Sequence, residues 1–287
     1  MTLPESENWI ATHGLSRRAA LAGALAASAY AAAAQPVAST AITTPSDGLD
    51  AGMIRFPASA GLLMNAYRAR PAGKRNLGTI LVVQEVFGLH AWIQDICRRL
   101  ARAGYYAIAP DLYQRQGDAT KAPDMKTLFT TIVSQVPDAQ VMADLDAAAA
   151  FAARDGGSDR RLAITGFCWG GRITWLYAAH NPKLRAGVAW YGRLTGQANP
   201  LQPANAIDLV ARIDVPVLGL YGTRDRGIPV ADVEAMNTAL KTAGKPSSIR
   251  LFEADHGFLA DYRPSYSEPA SREAWAAALA WFATHLK

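Results

Sequence analysis

One cysteine in this chain is set for chemistry. Cys168 lies in Gly166-Phe167-Cys168-Trp169-Gly170-Gly171, between Arg161 to Thr165, which reads as a buried strand, and Arg172 to His180, which reads as a helix. A strand, a tight turn and a helix place a thiol at a helix N-terminus, where the backbone N–H groups favour the thiolate. Glycines at 166 and 170 leave room in a turn where side chains would collide with the strand and helix. The six residues alone leave a second account open, an inert buried cysteine in a glycine-containing turn.

Two residues downstream complete a constellation in the order Cys168, Asp225, His256. The cysteine attacks an acyl carbon, the imidazole takes its proton and later hands a proton to a leaving group or activates water, and the carboxylate fixes the imidazole tautomer. Taken singly, Asp225 in Gly222-Thr223-Arg224-Asp225 also reads as a turn residue, and His256 before Gly257 as a loop histidine. Asp255 competes for the acid role, but its adjacency to His256 points it elsewhere. Cys97 falls on the apolar side of a helix and reads as core. His90, His180 and His285 read as surface or helix-end residues.

The elements that must position these groups alternate along the chain. Met53–Phe56 and Leu62–Arg70 read as a hairpin, Gly78–Val83 as an all-apolar strand, and 91–103 as an amphipathic helix. A strand at 105–109, a polar excursion at 114–125 and helices at 126–134 and 139–154 follow, the second helix with a cap at Asp138. Strands at 187–190, 215–221 and 248–252 alternate with a helix at 229–242, and 269–286 closes the chain as a helix. This alternation predicts a mostly parallel sheet flanked by helices on both faces, with the site at the carboxyl ends of the strands. Glu85, Cys168, Asp225 and His256 each fall just past the end of a predicted strand.

The chain has 287 residues, half of them hydrophobic, enough for one large domain. Its net charge of +5 carries no basic run or helix, which excludes a nucleic-acid-binding pattern and leaves room for small anionic substrates. Two cysteines make no disulfide framework and no zinc spacing, though a single Cys97–Cys168 disulfide remains an alternative in an oxidising compartment. Leu15-Ser16-Arg17-Arg18-Ala19-Ala20-Leu21, followed by a small apolar stretch to Ala34, resembles a twin-arginine export signal. Three segments are therefore expected: a signal over 1–34, a flexible lead-in over 35–51 and a catalytic domain over 52–287. The exported, periplasmic form would start near Gln35 and hold no stable membrane span.

The order nucleophile, acid, histidine is that of the α/β-hydrolase fold, in which oxyanion-binding N–H groups come from the residue after the nucleophile, Trp169, and from the loop after the first parallel strand, Val86. Five motifs in sequence extend the match. Gln84-Glu85-Val86-Phe87-Gly88-Leu89, Ala109-Pro110-Asp111-Leu112-Tyr113, the Cys168 hexapeptide, Tyr221 to Asp225 and Ala254-Asp255-His256-Gly257-Phe258 resemble the dienelactone hydrolase (carboxymethylenebutenolidase) family across about residues 52–287. The resemblance implies hydrolysis of small lactones or esters without metal or cofactor. It implies that Glu85 governs activation of the resting thiol, and that Arg115 binds a substrate carboxylate, a role suited to bidentate pairing. The second arginine of that family falls at Ala260 here, with Arg263 nearby. Trp169, Phe87 and Trp92 are candidate pocket walls. A non-catalytic binding protein on the same fold is the alternative from another class.

Overall fold

The computed structural model describes residues 41–287. The export signal and residues 35–40 of the lead-in lie outside them. Eight strands form one sheet in the order β1-β2-β4-β3-β5-β6-β7-β8. The opening hairpin, β1 (Leu49–Pro57) and β2 (Leu63–Pro71), is antiparallel and joins β4 (Tyr106–Pro110) antiparallel. Every other pairing is parallel: β3 (Leu77–Val83) with β4 and with β5 (Gly157–Phe167), then β6 (Ala186–Trp190), β7 (Val217–Gly222) and β8 (Ser248–Phe252). β3, β4, β6 and β7 are almost wholly buried, as expected for parallel strands with helices on both faces.

Strand parity sorts the helices. Phe167 and Trp190 are register partners on one face. Trp92 of α1 (Ala91–Arg102) meets Phe167 edge-on, and Trp275 of α5 (Glu268–His285) stacks on Trp190, so α1 and α5 share that face. Gly187, three residues before Trp190, points the opposite way, and a Cβ there would lie 3.2 Å from Thr174 of α3 (Trp169–His180). Helix α3, which follows Cys168, therefore covers the other face, bound to α2 (Asp138–Asp155) by Tyr177 Oη donating to Asp146. α4 (Val230–Thr242) bridges β7 and β8.

Three local expectations change. Asp138 is not the cap of α2. Pro137 takes that position, and the Asp138 carboxylate instead receives both terminal nitrogens of buried Arg172 at 2.7 and 2.8 Å. The helix expected at 126–134 breaks into an α turn (Met125–Thr127), a π turn (Leu128–Ile132) and a 3-10 turn (Val133–Gln135). Hydroxyls of Thr130, Thr131 and Ser134 bond back to carbonyls one turn earlier and compete with the regular ladder. The end of the lead-in is ordered: β1 begins at Leu49, and residues 42–45 lie across α1, held by arginine side chains.

Candidate active site

The turn after β5 is as tight as the glycine spacing implies. A Cβ on Gly166 would sit 2.1 Å from Gly170 O, and one on Gly170 2.5 Å from Val83 O, so neither position admits a side chain. Cys168 itself has φ 56° and ψ −111°, a strained backbone for a non-glycine residue. Its N–H donates to Trp190 O at 3.0 Å, and its carbonyl accepts from Gly171 and Arg172. The thiol thus stands at the first turn of α3, where it is 4% exposed.

His256 lies between two partners. Its Nδ1 is 2.6 Å from Asp225 Oδ2, and it is hydrogen-bonded to Cys168. Burial alone would lower the imidazole pKa, but its electrostatic and hydrogen-bond contacts with Cys168 and its bond to Asp225 push it up to about 10. Asp225 is fixed in turn by the N–H groups of Gly227 and Ile228, at 2.8 and 3.1 Å on Oδ1. Asp255 points to solvent, 3.6 Å from Arg224. The side chains expected to converge from β5, β7 and β8 do so. Neither cysteine is in a disulfide, which removes the Cys97–Cys168 pairing.

Glu85 is fully buried at the end of β3 and does not stand alone. Tyr262 Oη donates to its Oε2 at 2.6 Å, Arg263 Nη2 lies 2.9 Å from Oε1, and His90 Nε2 lies 3.5 Å from Oε2. Burial pushes the carboxyl up, but the Arg263 charge, with His90 and Tyr262, brings it down to about 2. Arg263 also lies within the field of Cys168. The carboxylate expected to govern the thiol is therefore paired with a cation that also acts on Cys168. Tyr191, next to the strand end of β6, completes the cluster at φ 37°. Its ring meets His256 edge-on at 5.2 Å, and burial together with Glu85 holds its phenol protonated.

Sequence reading missed Tyr262 and Tyr191, named Arg263 only as a neighbour of the second-arginine position, and gave His90 no part in the site. His90 is the helix-end residue of the two readings, at the N-cap of α1, but its ring turns inward against those of Trp92 and Tyr262. The available signal was the aromatic and basic content of the loop that carries His256, where Phe258, Tyr262, Arg263 and Tyr266 follow the histidine. Trp169 opens α3, so its N–H has no acceptor within the helix, as an oxyanion donor requires; Val86 follows Glu85 in the facing loop. Of the candidate walls, Trp92 is buried against Phe167, Phe87 carries the Arg263 guanidinium over its ring at 5.2 Å, and Trp169 meets Tyr113.

Arg115 is placed elsewhere. Its terminal nitrogens bind both oxygens of Asp144, at 2.5 and 3.0 Å, and the carbonyl and hydroxyl of Ser59. The expectation of a guanidinium free for a substrate carboxylate gives way to one engaged by α2 and the β1–β2 turn. Asp144 is fully buried, and an unpaired buried carboxylate is too costly to leave without this partner. Two surface cavities, of about 450 and 540 Å³, lie between β7, β8 and α5 and at the amino ends of β3 and β5, away from Cys168.

A mostly parallel sheet with this loop constellation at its strand ends has the α/β-hydrolase fold. A crystal structure of a "Putative Dienelactone Hydrolase" from Klebsiella pneumoniae superposes with a TM-score of 0.80 at 53% identity, covering 82% of this chain and 98% of that one. The chain belongs to the dienelactone hydrolase family, whose profile matches residues 64–286. A "Putative carboxymethylenebutenolidase" of Methylorubrum extorquens AM1 is 53% identical over 271 residues, 93% of this chain and 92% of that protein. A protein of the same name from Escherichia coli K12 is 51% identical over 257 residues, 89% and 94% respectively. The protein is a hydrolase acting on ester bonds.

Proposed function

We propose that the protein opens small lactones or cleaves carboxylic esters through an acyl-enzyme on Cys168. One observation carries the reading: a thiol on a strained turn is bonded to an imidazole whose far nitrogen is held 2.6 Å from a fixed carboxylate. The thiol proton passes to His256, and sulfur attacks the carbonyl carbon. The N–H groups of Trp169 and Val86 receive the developing oxyanion, an interaction of about 3 kcal/mol per donor. The C–O bond breaks and the leaving oxygen takes the proton from His256. Water, deprotonated by the same imidazole, then attacks the thioester and releases the acid and the thiol. Asp225 holds the imidazole in the tautomer this shuttle needs.

In this reading Glu85 and Arg263 tune the thiol together. Their opposite charges leave little net repulsion at Cys168, and a substrate that displaced either group would change the thiol's protonation. A small anionic substrate fits the positive member of the pair. The reading uses no metal or cofactor. An export signal over 1–34 remains part of the proposal; N-terminal sequencing of periplasmic material should begin near Gln35, and an intact Met1 end would reject it. Among the described residues no helix is long and apolar enough to cross a membrane.

The test is turnover of dienelactone and aryl esters by wild type, Cys168→Ala and His256→Ala. Loss in both variants is expected, and equal rates in all three would remove Cys168 as the nucleophile.

A further inference from the structure

The loop between β8 and α5 supplies His256, Tyr262 and Arg263, so its position sets the whole cluster. Its inner side is held by Glu85. Its outer side is held by Asp261, whose side chain is 1% exposed and receives Arg99 Nη2 of α1 at 2.5 Å. Arg99 is itself oriented, because its Nε donates to Asp95 Oδ2 at 2.6 Å. Asp95 is oriented by Arg98, at 2.9 Å, and by the backbone N–H of Thr44, at 2.6 Å.

The strand of chain that supplies that N–H runs over α1. Arg98 Nε donates to Thr44 O at 2.8 Å, Arg99 Nη2 to Ile42 O at 3.3 Å, and Arg102 Nη2 to Pro45 O at 3.2 Å. Asp95, Arg98, Arg99 and Arg102 are spaced i, i+3, i+4 and i+7, one face of the helix. The face reads chiefly main chain, with Thr44 Oγ1 adding a longer bond to Asp95 Oδ2 at 3.4 Å.

We infer that Arg99 and Asp261 are positioning residues for the Tyr262–Arg263 segment, and that residues 42–45 brace them from outside through Asp95. Buried ion pairs contribute little net stability against apolar replacements, but they fix a geometry. Asp261 directly precedes Tyr262 and Arg263, two of the three residues described on Glu85. Displacing it moves a phenol and a guanidinium off a fully buried carboxylate, and moves the Arg263 charge away from Cys168. The inference takes its activity readout from the hydrolase reading above, but the reactivity of the Cys168 thiol tests it separately.

The experiment uses the full chain with Arg99→Gln, Asp261→Asn, Arg99→Lys and Thr44→Pro. The last removes both the N–H and the hydroxyl from which Asp95 accepts. Ester turnover, iodoacetamide alkylation of Cys168 followed by peptide mapping, and thermal midpoint are measured for each. Arg99→Gln and Asp261→Asn are expected to lower kcat by about 10- to 100-fold with KM little changed, the scale of an ångström-sized misplacement. Alkylation should slow in parallel. Arg99→Lys keeps a cation beside Asp261 and should recover most of both rates, and Thr44→Pro should act in the same direction more weakly. Folded Arg99→Gln with wild-type alkylation and kcat overturns the inference, as does Arg99→Lys no better than Arg99→Gln at the same thermal midpoint. Slow alkylation in the variants of a wild type that shows no Cys168-dependent turnover would sink the hydrolase mechanism and leave the brace standing.

Discussion

Arg115–Asp144 and Arg263–Glu85 are the same chemistry in two surroundings. In each, a guanidinium meets a fully buried carboxylate. The first pair is closed: Arg115 is bidentate on Asp144, and Ser59 takes what remains of its terminal nitrogens. The second is open. Arg263 Nη2 and Glu85 Oε1 are 2.9 Å apart but not aligned as a hydrogen bond, and Tyr262 Oη stands between the Arg263 Nε and Glu85 Oε2. A closed pair is a fastener. An open pair beside a thiol keeps polar atoms in reserve for another group, which is what a site that must respond to substrate requires.

The largest expected effect sets the scale for the comparison. Cys168→Ala and His256→Ala should each lower kcat by about 10³-fold or more, read from initial ester rates on folded protein. Next comes the open pair. Glu85→Gln or Arg263→Met strands a buried partner and should cost about 3–5 kcal/mol in urea unfolding. The double variant should regain much of that stability and none of the turnover. Recovery of turnover with stability would make this pair a fastener as well.

The same pair should show in acid. The Glu85 carboxyl is at about 2 folded against 4.5 for the ordinary group. Its contribution, on the order of 3 kcal/mol, is complete above about pH 4.5 and lost as pH falls through 2. Unfolding measured from pH 5 to 2 should therefore be steeper in wild type than in the Glu85→Gln/Arg263→Met double variant. The smallest effect on activity belongs to the closed pair. Arg115→Met should lower the thermal midpoint and reduce turnover of charged and neutral esters alike, because no substrate-facing donor is lost. A selective loss for anionic substrates would return Arg115 to the role its motif implies.

Much of the fold was legible because its signals are local. β3, an apolar run, and β8, which alternates polar and apolar residues, lie within a residue of their expected bounds, since both patterns are local and end at polar loops. The 126–134 segment failed for an equally local reason, hydroxyl back-bonding that residue counting treats as ordinary helix. The ordered strap at 42–45 was illegible in a different way. It belongs to a lead-in rich in Pro, Ser, Thr and Ala that reads as a tether, and what orders it is a set of side chains about 50 residues later.

The chain by itself determined the turn around Cys168, the order of thiol, carboxylate and imidazole, and their places at strand ends, because strand, glycine turn and helix are written in neighbouring residues. Only the tertiary structure decided which arginine stands beside the thiol, that His90 faces inward, and that Tyr262 caps Glu85 from 177 residues away. Such choices depend on which buried charge finds which partner once the loops close. That is a competition of desolvation against pairing, and no single stretch of sequence records it.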